Sequence, residues 1–249
     1  MSENITVGIH AVTALLKHHP HRILRLARLK EHARREDDIE ILARDAGIQI
    51  EYLVKERLEG QLSGEYVHQG IVAWVKPEAP WGETELYDNV SEWLASGKKV
   101  LLLVLDNVQD PHNLGACFRS AEAFGAHAVV VPRHQSSKLT PVVLKVACGA
   151  TEILPFAVIA NLARTLEQLQ KIGLWIVGLD GEAKQPLEKA ALTRSCALVM
   201  GAEGEGMRLQ TQKNCDELAA IPLLGTIGSL NVSVATGVAL YEVYKQRHK

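Results

Sequence analysis

The chain has 249 residues, 47% of them hydrophobic, and its 27 Lys and Arg against 29 Asp and Glu give a formal net charge of −2. This composition excludes intrinsic disorder, which requires low hydrophobicity and high net charge, and no apolar run approaches the roughly 18 residues that cross a membrane. A chain of this length has room for one large domain or two modest ones, at roughly 100 to 200 residues per domain.

The start of the chain and the cysteines indicate where the protein works. The first residues, MSENIT, lack the basic and apolar segments of a secretion signal. The cysteines are Cys117, Cys148, Cys196 and Cys215. Their wide spacing contains no CxxC pair and is typical of reduced core thiols in a cytosolic protein. We therefore expect a cytoplasmic protein with no bound metal and no membrane partner.

Helical and strand patterns alternate through residues 1–76. Helical spacing runs from Gly8 to Leu16 and from Asp38 to Ala46, where Gly47 is a stop signal. Strand patterns cover 22–29, 48–53 and 70–75. We expect this segment to form a small α/β domain.

Basic residues are concentrated between Lys17 and Arg35, a segment that contains one acidic residue, Glu31. The basic residues are Lys17, Arg22, Arg25, Arg28, Lys30, Arg34 and Arg35. Clustered on one face, they could lie along a phosphate backbone and gain affinity by releasing counterions. The alternative is a solvated surface whose charge is offset by the acidic residues between Glu36 and Glu40.

The composition changes between Lys76 and Lys99, where prolines and glycines stand among acidic residues. This change predicts a linker over residues 77–98 that contains one short helix around 86–94.

From residue 99 onward, apolar runs of strand length alternate with helical segments. The runs cover 100–105, 128–131, 174–179, 197–200 and 218–223, and the clearest helices cover 114–124, 161–172 and 232–247. Strands without polar alternation are buried on both faces, and strands separated by helices pair in parallel. Residues 99–249 are therefore predicted to form an open parallel α/β sheet.

Three unusual loops follow the first, fourth and fifth of these runs, at 106–115, 201–206 and 225–231. Open α/β sheets bind ligands at the carboxyl ends of their strands, and glycines there let the backbone approach a ligand. No GxGxxG follows the first run and no GxxxxGK[ST] occurs, so the ligand is held in another way. One such loop alone is explained by turn formation. Two adjacent loops that carry Glu203 and Asn231, both expected to be buried, favour a site.

These loops resemble the motifs of the SpoU (TrmH) family of RNA 2′-O-ribose methyltransferases, in the SPOUT class. The motifs read DPHNLG at 110–115 with RSAEAFG at 119–125, VMGAEGEG at 199–206, and IPL at 221–223 with SLNVSVA at 229–235. The N-terminal domain, with YVHQGI at 66–71, is similar to the substrate-binding domain of the family's rRNA branch. Three motifs in order over about 150 residues make this resemblance specific.

The resemblance implies a trefoil knot in the C-terminal domain, formed by the loops after the fourth and fifth predicted strands. S-adenosylmethionine would bind there, held largely by main-chain groups of Gly201, Ile221 and Leu230. The resemblance also implies a homodimer, with the final helix at or near the interface. Apolar positions of that helix that fit an interface or core packing are Val234, Val238 and Tyr241.

The resemblance further assigns the chemistry to Arg119, Asn113, Glu203, Asn231 and Ser229. In relatives, the arginine that matches Arg119 lies near the nucleophile and is proposed to act as general base. A guanidinium is effectively always protonated, so a bidentate clamp on a phosphate is the alternative. Asn113 and Asn231 would orient the ribose, brace Arg119 or cap their helices. We expect Glu203 to have a partner, such as Arg119, backbone donors or the cofactor, and Ser229 to be a hydrogen-bonding neighbour.

A 2′-hydroxyl distinguishes RNA from DNA, so the expected partner is RNA and not DNA. The rRNA branch implies a guanosine of 23S rRNA, which the N-terminal domain would dock through Arg22, Arg25 and Arg28. Two alternatives stay open: a tRNA 2′-O-methyltransferase of the same family, and a non-catalytic RNA-binding or assembly factor. A small-molecule α/β enzyme is disfavoured by the missing nucleotide-binding motifs.

Overall fold

The chain divides into two compact units in a computed structural model that describes residues 4–32, 37–62, 66–226 and 228–248. The N-terminal unit contains the residues up to Ala79 together with Cys148–Ile153, and the sheet unit contains Pro80–Ala147 and Leu154–Lys249. Residues 80–98 therefore belong to the sheet unit and do not form the predicted linker. The physical reason is burial, since Leu86 and Val90 are fully enclosed in the core of that unit.

The N-terminal unit is a four-stranded mixed sheet with helices. Its elements are β1 (Asn4–Val7), α1 (Ile9–His18), β2 (Ile23–Leu29), α2 (Asp38–Asp45), β3 (Ile50–Leu53), α3 (Lys55–Glu59) and β4 (Ile71–Val75). The strand order is β1-β4-β2-β3, with β2 and β3 parallel and the other two pairs antiparallel. The predicted small α/β organisation is present, and the sequence patterns missed β1 and α3.

Both faces of this sheet are covered. On one face, Leu26 packs with Leu15 of α1 and Ile39 of α2. On the other, Trp74 packs with Leu58 of α3. Successive strand residues point to opposite faces, so Arg28 of β2 shares the face of Leu26 that α1 and α2 cover, and it is buried.

The sheet unit contains seven strands. Its elements are α4 (Glu83–Ala95), β5 (Leu101–Leu105), α5 (Pro111–Ala123), β6 (Ala128–Pro132), α6 (Pro141–Ala147), β7 (Phe156–Ile159), α7 (Leu162–Ile172), β8 (Trp175–Leu179), β9 (Gln185–Pro186), β10 (Cys196–Met200), α8 (Leu209–Lys213), β11 (Glu217–Ala220) and α9 (Val232–Arg247). The strand order is β7-β6-β5-β10-β8-β11-β9, and every pairing is parallel. The predicted open parallel sheet is confirmed.

Helices cover both faces of this sheet. Helices α4 and α7 bury Leu86 and Leu166 against Val104 of β5 and Val199 of β10. Helix α5 contacts both α6 and α9, and Phe118 of α5 is completely buried. The two central strands, β5 and β10, are therefore sealed from water on both sides, which explains their unbroken apolar sequences.

The strand predicted over 218–223 ends at Ala220. Pro222 has no N–H to donate to a ladder, and Leu223 and Leu224 are exposed, so the chain leaves the sheet earlier than its apolar character indicates. The short strands β7 and β9 and the helix α6 were missed by the sequence patterns.

No disulfide joins cysteines among the described residues. Burial raises the pKa of Cys117 and of Cys196 to about 11, and that of Cys215 to about 12. The prediction of a core thiol is wrong for Cys148, which is exposed. Of the helices that the structure describes, none combines the length and apolar character needed to cross a bilayer.

Candidate active site

A cleft of about 540 Å³ opens at the carboxyl ends of β8, β10 and β11. Its walls are the segments that follow these strands: 179–182, 200–206 and 221–230, closed by the start of α9. The lining includes Gly201, Glu203, Ile221, Ser229 and Leu230, five of the residues predicted from the sequence. Residue 227, within the third segment, lies outside the described residues. A parallel sheet places its ligand site at this edge, as predicted.

The loop after β10 is held by close backbone contact at Gly201. A Cβ at this position would lie 2.1 Å from the carbonyl carbon of Gly206 and 2.2 Å from the amide nitrogen of Met207. The loop closes on itself through reciprocal hydrogen bonds between Ala202 and Gly206, of 3.1 and 2.9 Å. Only glycine fits at Gly201, so this residue brings the two ends of the loop together.

Asn231 joins the segments of all three sequence motifs. Its Nδ2 donates to Oδ1 of Asn113, in the first turn of α5, at 3.0 Å and to Oε2 of Glu203 at 3.1 Å. Its Oδ1 accepts from the backbone N–H of Ser233 at 2.9 Å and from the Ser233 hydroxyl at 2.6 Å. Asn231 therefore caps α9 and, with the other end of the same amide, holds two site residues.

The positions of Glu203 and Asn231 differ from the prediction that both are buried. Glu203 is exposed and Asn231 is half-buried. Glu203 lies at the tip of a turn, where water solvates its carboxylate, and it still has a partner in Asn231. The helix cap expected of Asn113 is supplied instead by Asp110, whose Oδ1 accepts the His112 N–H at 2.9 Å.

Arg119 lies on α5 with an exposed side chain. Arg119 follows Asn113 by six positions, which turn an α-helix by about 600°, so the two side chains point to different sides of α5, about 9 Å apart along its axis. Ser229 is exposed and lines the cleft. The structure thus groups Asn113, Glu203 and Asn231 directly, with Ser229 on the cleft wall and Arg119 on another side of α5.

A fully buried carboxylate next to this site was missed by the sequence analysis. Asp106, the first residue after β5, accepts the Arg208 backbone N–H at 3.0 Å and the Arg208 Nε–H at 2.7 Å. One residue on, Asn107 donates from Nδ2 to Glu205 at 3.0 Å. The loops after β5 and β10 are therefore fastened together twice. The signal available in the sequence was an acidic residue at the very end of an apolar strand.

Cleft electrostatics are dominated by acidic side chains. The carboxylates of the lining belong to Asp180, Glu182, Glu203 and Glu205, and no Lys or Arg is among the described lining residues. Across the described part of the chain, no three His, Cys, Asp or Glu side chains are grouped so as to hold a metal ion.

Arg28 does not form an exposed phosphate-binding surface in the N-terminal unit. Its side chain is 8% exposed, and its guanidinium makes an ion pair with Asp37 and a longer one with Glu40 at 3.4 Å. Arg28 shares a strand face with Leu26, which α1 and α2 cover. The predicted phosphate contact is therefore corrected to a buried ion pair.

Arg22 is also enclosed, with its Nη1 3.1 Å from Glu152 and 3.3 Å from Glu78. Burial raises the pKa of Glu152, while Arg22 opposes that effect. This arginine too is corrected from a phosphate contact to an ion pair. Arg25 is 39% exposed, pairs with Glu51 and lies 4.4 Å over the ring of Trp74. Of the other predicted cations, Lys17 and Lys30 are exposed, and Arg34 and Arg35 lie outside the described residues.

The family described as the SpoU rRNA Methylase family matches residues 100–241. A second family, described as RNA 2′-O ribose methyltransferase substrate binding, matches residues 5–81. The first match covers most of the sheet unit, and the second covers most of the N-terminal unit.

Two curated relatives carry the same name, 23S rRNA (guanosine-2′-O-)-methyltransferase RlmB. The one from Pseudomonas putida is 49% identical over 96% of this chain and 95% of its own length. The one from Photorhabdus laumondii is 49% identical over 99% of each chain. Among solved structures, the SpoU methyltransferase AviRb from Streptomyces viridochromogenes with AdoMet has a TM-score of 0.76, at 21% identity, and covers 98% of this chain and 90% of its own. The fold is therefore that of a SpoU methyltransferase.

We expect Gly201→Ala to destabilise the protein by about 1–3 kcal/mol, because the added methyl overlaps the Gly206 backbone and forces the loop apart. The measurement is the free energy of unfolding in urea. Gly237→Ala is the control, since a Cβ there meets nothing nearer than the Ser120 hydroxyl at 3.8 Å. Equal stabilities for the two variants would contradict the close packing described at Gly201.

A second prediction concerns pH. The hydrogen bond from Arg28 lowers the pKa of Asp37, so the charged pair stabilises the fold above the unfolded pKa of about 3.9 and this contribution is lost as pH falls through the lower folded pKa. Asp37→Asn keeps a good helix cap but removes the charge. We expect the variant to be less stable than the wild type by up to about 1 kcal/mol near neutral pH, with a difference that shrinks on acidification below about pH 4.

Urea unfolding of both proteins over this pH range measures that difference. A constant difference at every pH would mean that Asp37 contributes through its shape alone.

Proposed function

The chain belongs to the SpoU rRNA methylase family, and from this we propose that it transfers a methyl group from S-adenosylmethionine to the 2′-hydroxyl of a guanosine in 23S rRNA. The observation that carries the proposal is the pair of hydrogen bonds donated by the Asn231 amide. They join this residue of the third motif to Asn113 of the first and Glu203 of the second, beside a cleft at the ligand-binding edge of the sheet. The reaction and its RNA follow from 49% identity over nearly the full length to relatives named for that activity.

The cleft fits the cofactor in size and charge. Its volume of about 540 Å³ lies within the roughly 300–1,000 Å³ typical of small-molecule sites. S-adenosylmethionine carries a cationic sulfonium and an ammonium group, which are complementary to a lining with four carboxylates and no described Lys or Arg. We propose Gly201, Ile221 and Leu230 as cofactor-binding residues on this basis.

Main-chain groups are available for that role. The described residues of 222–230 form neither helix nor strand and make no described backbone-to-backbone hydrogen bonds with one another or with neighbouring segments. Their N–H and C=O groups can therefore face a ligand. This supports recognition of the cofactor through the backbone, as the family resemblance implies.

The bound cofactor supplies an electrophilic methyl group on its sulfonium. The protein must hold the ribose hydroxyl in line with that methyl and help to remove its proton. The Asn113–Asn231–Glu203 group is suited to the first task, because its side chains are hydrogen-bonded to one another and Glu203 lines the cleft. Ser229, on the cleft wall, is proposed as a further hydrogen-bonding partner of the substrate.

For Arg119 we propose a role at the nucleophile, either as general base or as clamp on the neighbouring phosphate. Its exposed side chain on α5 is accessible to RNA. A guanidinium presents its donors in a rigid fork that matches phosphate, which supports the clamp.

The N-terminal unit, predicted from the sequence at residues 1–76, is proposed to be the RNA-binding domain. The sheet unit, predicted at 99–249 and extended by residues 80–98, is proposed to be the catalytic domain. The match of residues 5–81 to a substrate-binding family supports this division. Since Arg22 and Arg28 are enclosed in ion pairs, Arg25 is the one of the three predicted arginines with exposed surface for this contact.

Membership of the family also supports a trefoil knot formed by the loops after β10 and β11, which remains a proposal for this chain. A cytoplasmic location is proposed from the 23S rRNA substrate, since bacterial ribosomes are made in that compartment.

A homodimer is supported by the composition of α9. One side of this helix buries Ala239, Leu240 and Val243 in the sheet unit, while apolar side chains on another side are exposed. The exposed residues are Val234 at 53%, Val238 at 40% and Tyr241 at 54%. They recur every three or four residues and so form a stripe that a second copy of the chain could cover.

The function is tested by transfer of labelled methyl from S-adenosylmethionine to an unmodified 23S rRNA transcript, with a tRNA transcript in parallel. We expect label at a guanosine ribose of 23S rRNA, and a loss of at least about 100-fold in rate for Arg119→Ala. Calorimetry should show that the variant still binds the cofactor.

Each other outcome has a definite meaning. Label in tRNA alone would replace 23S rRNA by tRNA as the substrate. Cofactor binding without transfer to either RNA would favour an assembly factor on the same scaffold, and absence of cofactor binding would overturn the proposal.

The homodimer is tested by sedimentation of the wild type and of Val238→Glu/Tyr241→Glu. We expect the wild type to sediment as a dimer and the variant as a folded monomer, because two carboxylates would have to be buried without partners. Arg164→Glu, an exposed change on α7, is the control and should sediment as the wild type. A monomeric wild type, or a dimeric double variant, would contradict the proposal.

A further inference from the structure

The side chain of Arg208 lies between the loops after β5 and β10, at the functional edge of the sheet. It is 42% exposed, although its partner Asp106 is completely buried. Arg208 follows the last glycine of the loop by two positions and directly precedes α8. None of the roles proposed above uses this residue.

Asp106 fixes the orientation of the Arg208 guanidinium. One carboxylate oxygen accepts the Nε–H at 2.7 Å and lies 2.5 Å from Nη2, and the other accepts the Arg208 backbone N–H at 3.0 Å. A charged group that is held on one side by a buried carboxylate loses little conformational entropy when it binds a ligand on the other. The ion pair is therefore a support that preorients Arg208.

The opposite edge of the guanidinium carries N–H donors that do not bind Asp106. A guanidinium carries five N–H groups, and within the described residues its accepting partner is Asp106 alone. Together with the exposure of the side chain, this leaves the Nη1 end available to a ligand. A planar donor edge of this kind matches the oxygens of a phosphate bidentately.

The electrostatics of the cleft require such a cation. An RNA that brings a ribose to the cleft also brings its flanking phosphates, and these meet the carboxylates of Asp180, Glu182, Glu203 and Glu205. A phosphate close to these carboxylates would be repelled unless a positive charge stands beside it. Arg208 is adjacent in sequence to the acidic loop and is not part of its lining, so it stands where a flanking phosphate would pass.

We propose that Arg208 is an RNA-binding residue that contacts a backbone phosphate next to the target ribose, with Asp106 as its positioning residue. This inference rests on the proposed methyl transfer to RNA. It assigns to the sheet unit a phosphate contact in addition to the one proposed for Arg25 of the N-terminal unit.

The test is binding of labelled, unmodified 23S rRNA transcript as a function of salt concentration, with methyl transfer to the same transcript and calorimetric cofactor binding as companion measurements. Arg208→Lys keeps a cation for Asp106 but loses the second donor edge. Asp106→Asn/Arg208→Gln removes the buried charge together with its partner, so no unpaired carboxylate is left to unfold the loop.

For Arg208→Lys we expect RNA affinity to fall several-fold. For the double variant we expect a fall on the order of 10-fold, and a salt slope reduced by about 0.7–0.9, the value for one lost phosphate contact. Cofactor affinity should stay within about 2-fold of the wild type, because Arg208 does not line the cleft and the loop keeps its Ala202–Gly206 and Asn107–Glu205 hydrogen bonds.

Arg194→Gln is the matched control. Arg194 is also an exposed arginine of the sheet unit, but it stacks 4.5 Å over Trp175, at the amino end of β8. This variant should bind RNA as the wild type does.

The outcomes separate this inference from the proposed function. If the wild type transfers methyl and the folded double variant binds RNA with unchanged affinity and salt slope, Arg208 is not a phosphate contact. If RNA and cofactor affinity fall together, Arg208 acts by holding the loop, and the inference is equally overturned. If the wild type itself transfers no methyl to RNA, the proposed function is contradicted, and the inference about Arg208 is overturned with it.

Discussion

The amide of Asn231 is the interaction on which the site depends. It caps α9 through its oxygen, and through its nitrogen it holds Asn113 at the start of α5 and Glu203 in the loop after β10. Each hydrogen bond contributes only about 0.5–1.5 kcal/mol, but together they fasten three segments, of which the outermost residues, Asn113 and Asn231, are 118 positions apart in sequence. Loss of this amide would free a helix end and two site residues at once.

The close backbone contact at Gly201 and the buried pair of Asp106 with Arg208 support the same arrangement from the other side. These contacts are of different kinds, since one is steric and the other electrostatic. Their common effect is that the loop after β10 has little freedom, so that its backbone can form part of a cleft wall. Preorganisation of this kind is what in-line methyl transfer needs, because the protein's main task is to align two reactants.

Charge is distributed unevenly over the sheet unit, and this distribution explains how one edge can serve both a cationic cofactor and an anionic RNA. Carboxylates line the cleft itself, where the cofactor is proposed to bind. The exposed arginines proposed to face RNA, Arg119 and Arg208, are not among the described lining residues. The near-neutral net charge of the chain conceals this separation.

The sequence by itself determined the open parallel sheet, because unbroken apolar strands between helices have few other folds available. It also predicted the loops that line the cleft, because Gly201, Glu203 and Asn231 stand in segments that follow apolar runs. Only the tertiary structure decided the partners of these residues. Arg28 alternates with apolar neighbours as a solvated cation would, yet α1 and α2 cover its face of the sheet and enclose it with Asp37. Glu203 was expected to be buried and is exposed, while Asp106, which no pattern singled out, is buried completely. Local spacing reports which face of an element a side chain occupies, but burial and pairing depend on what distant parts of the chain place against that face.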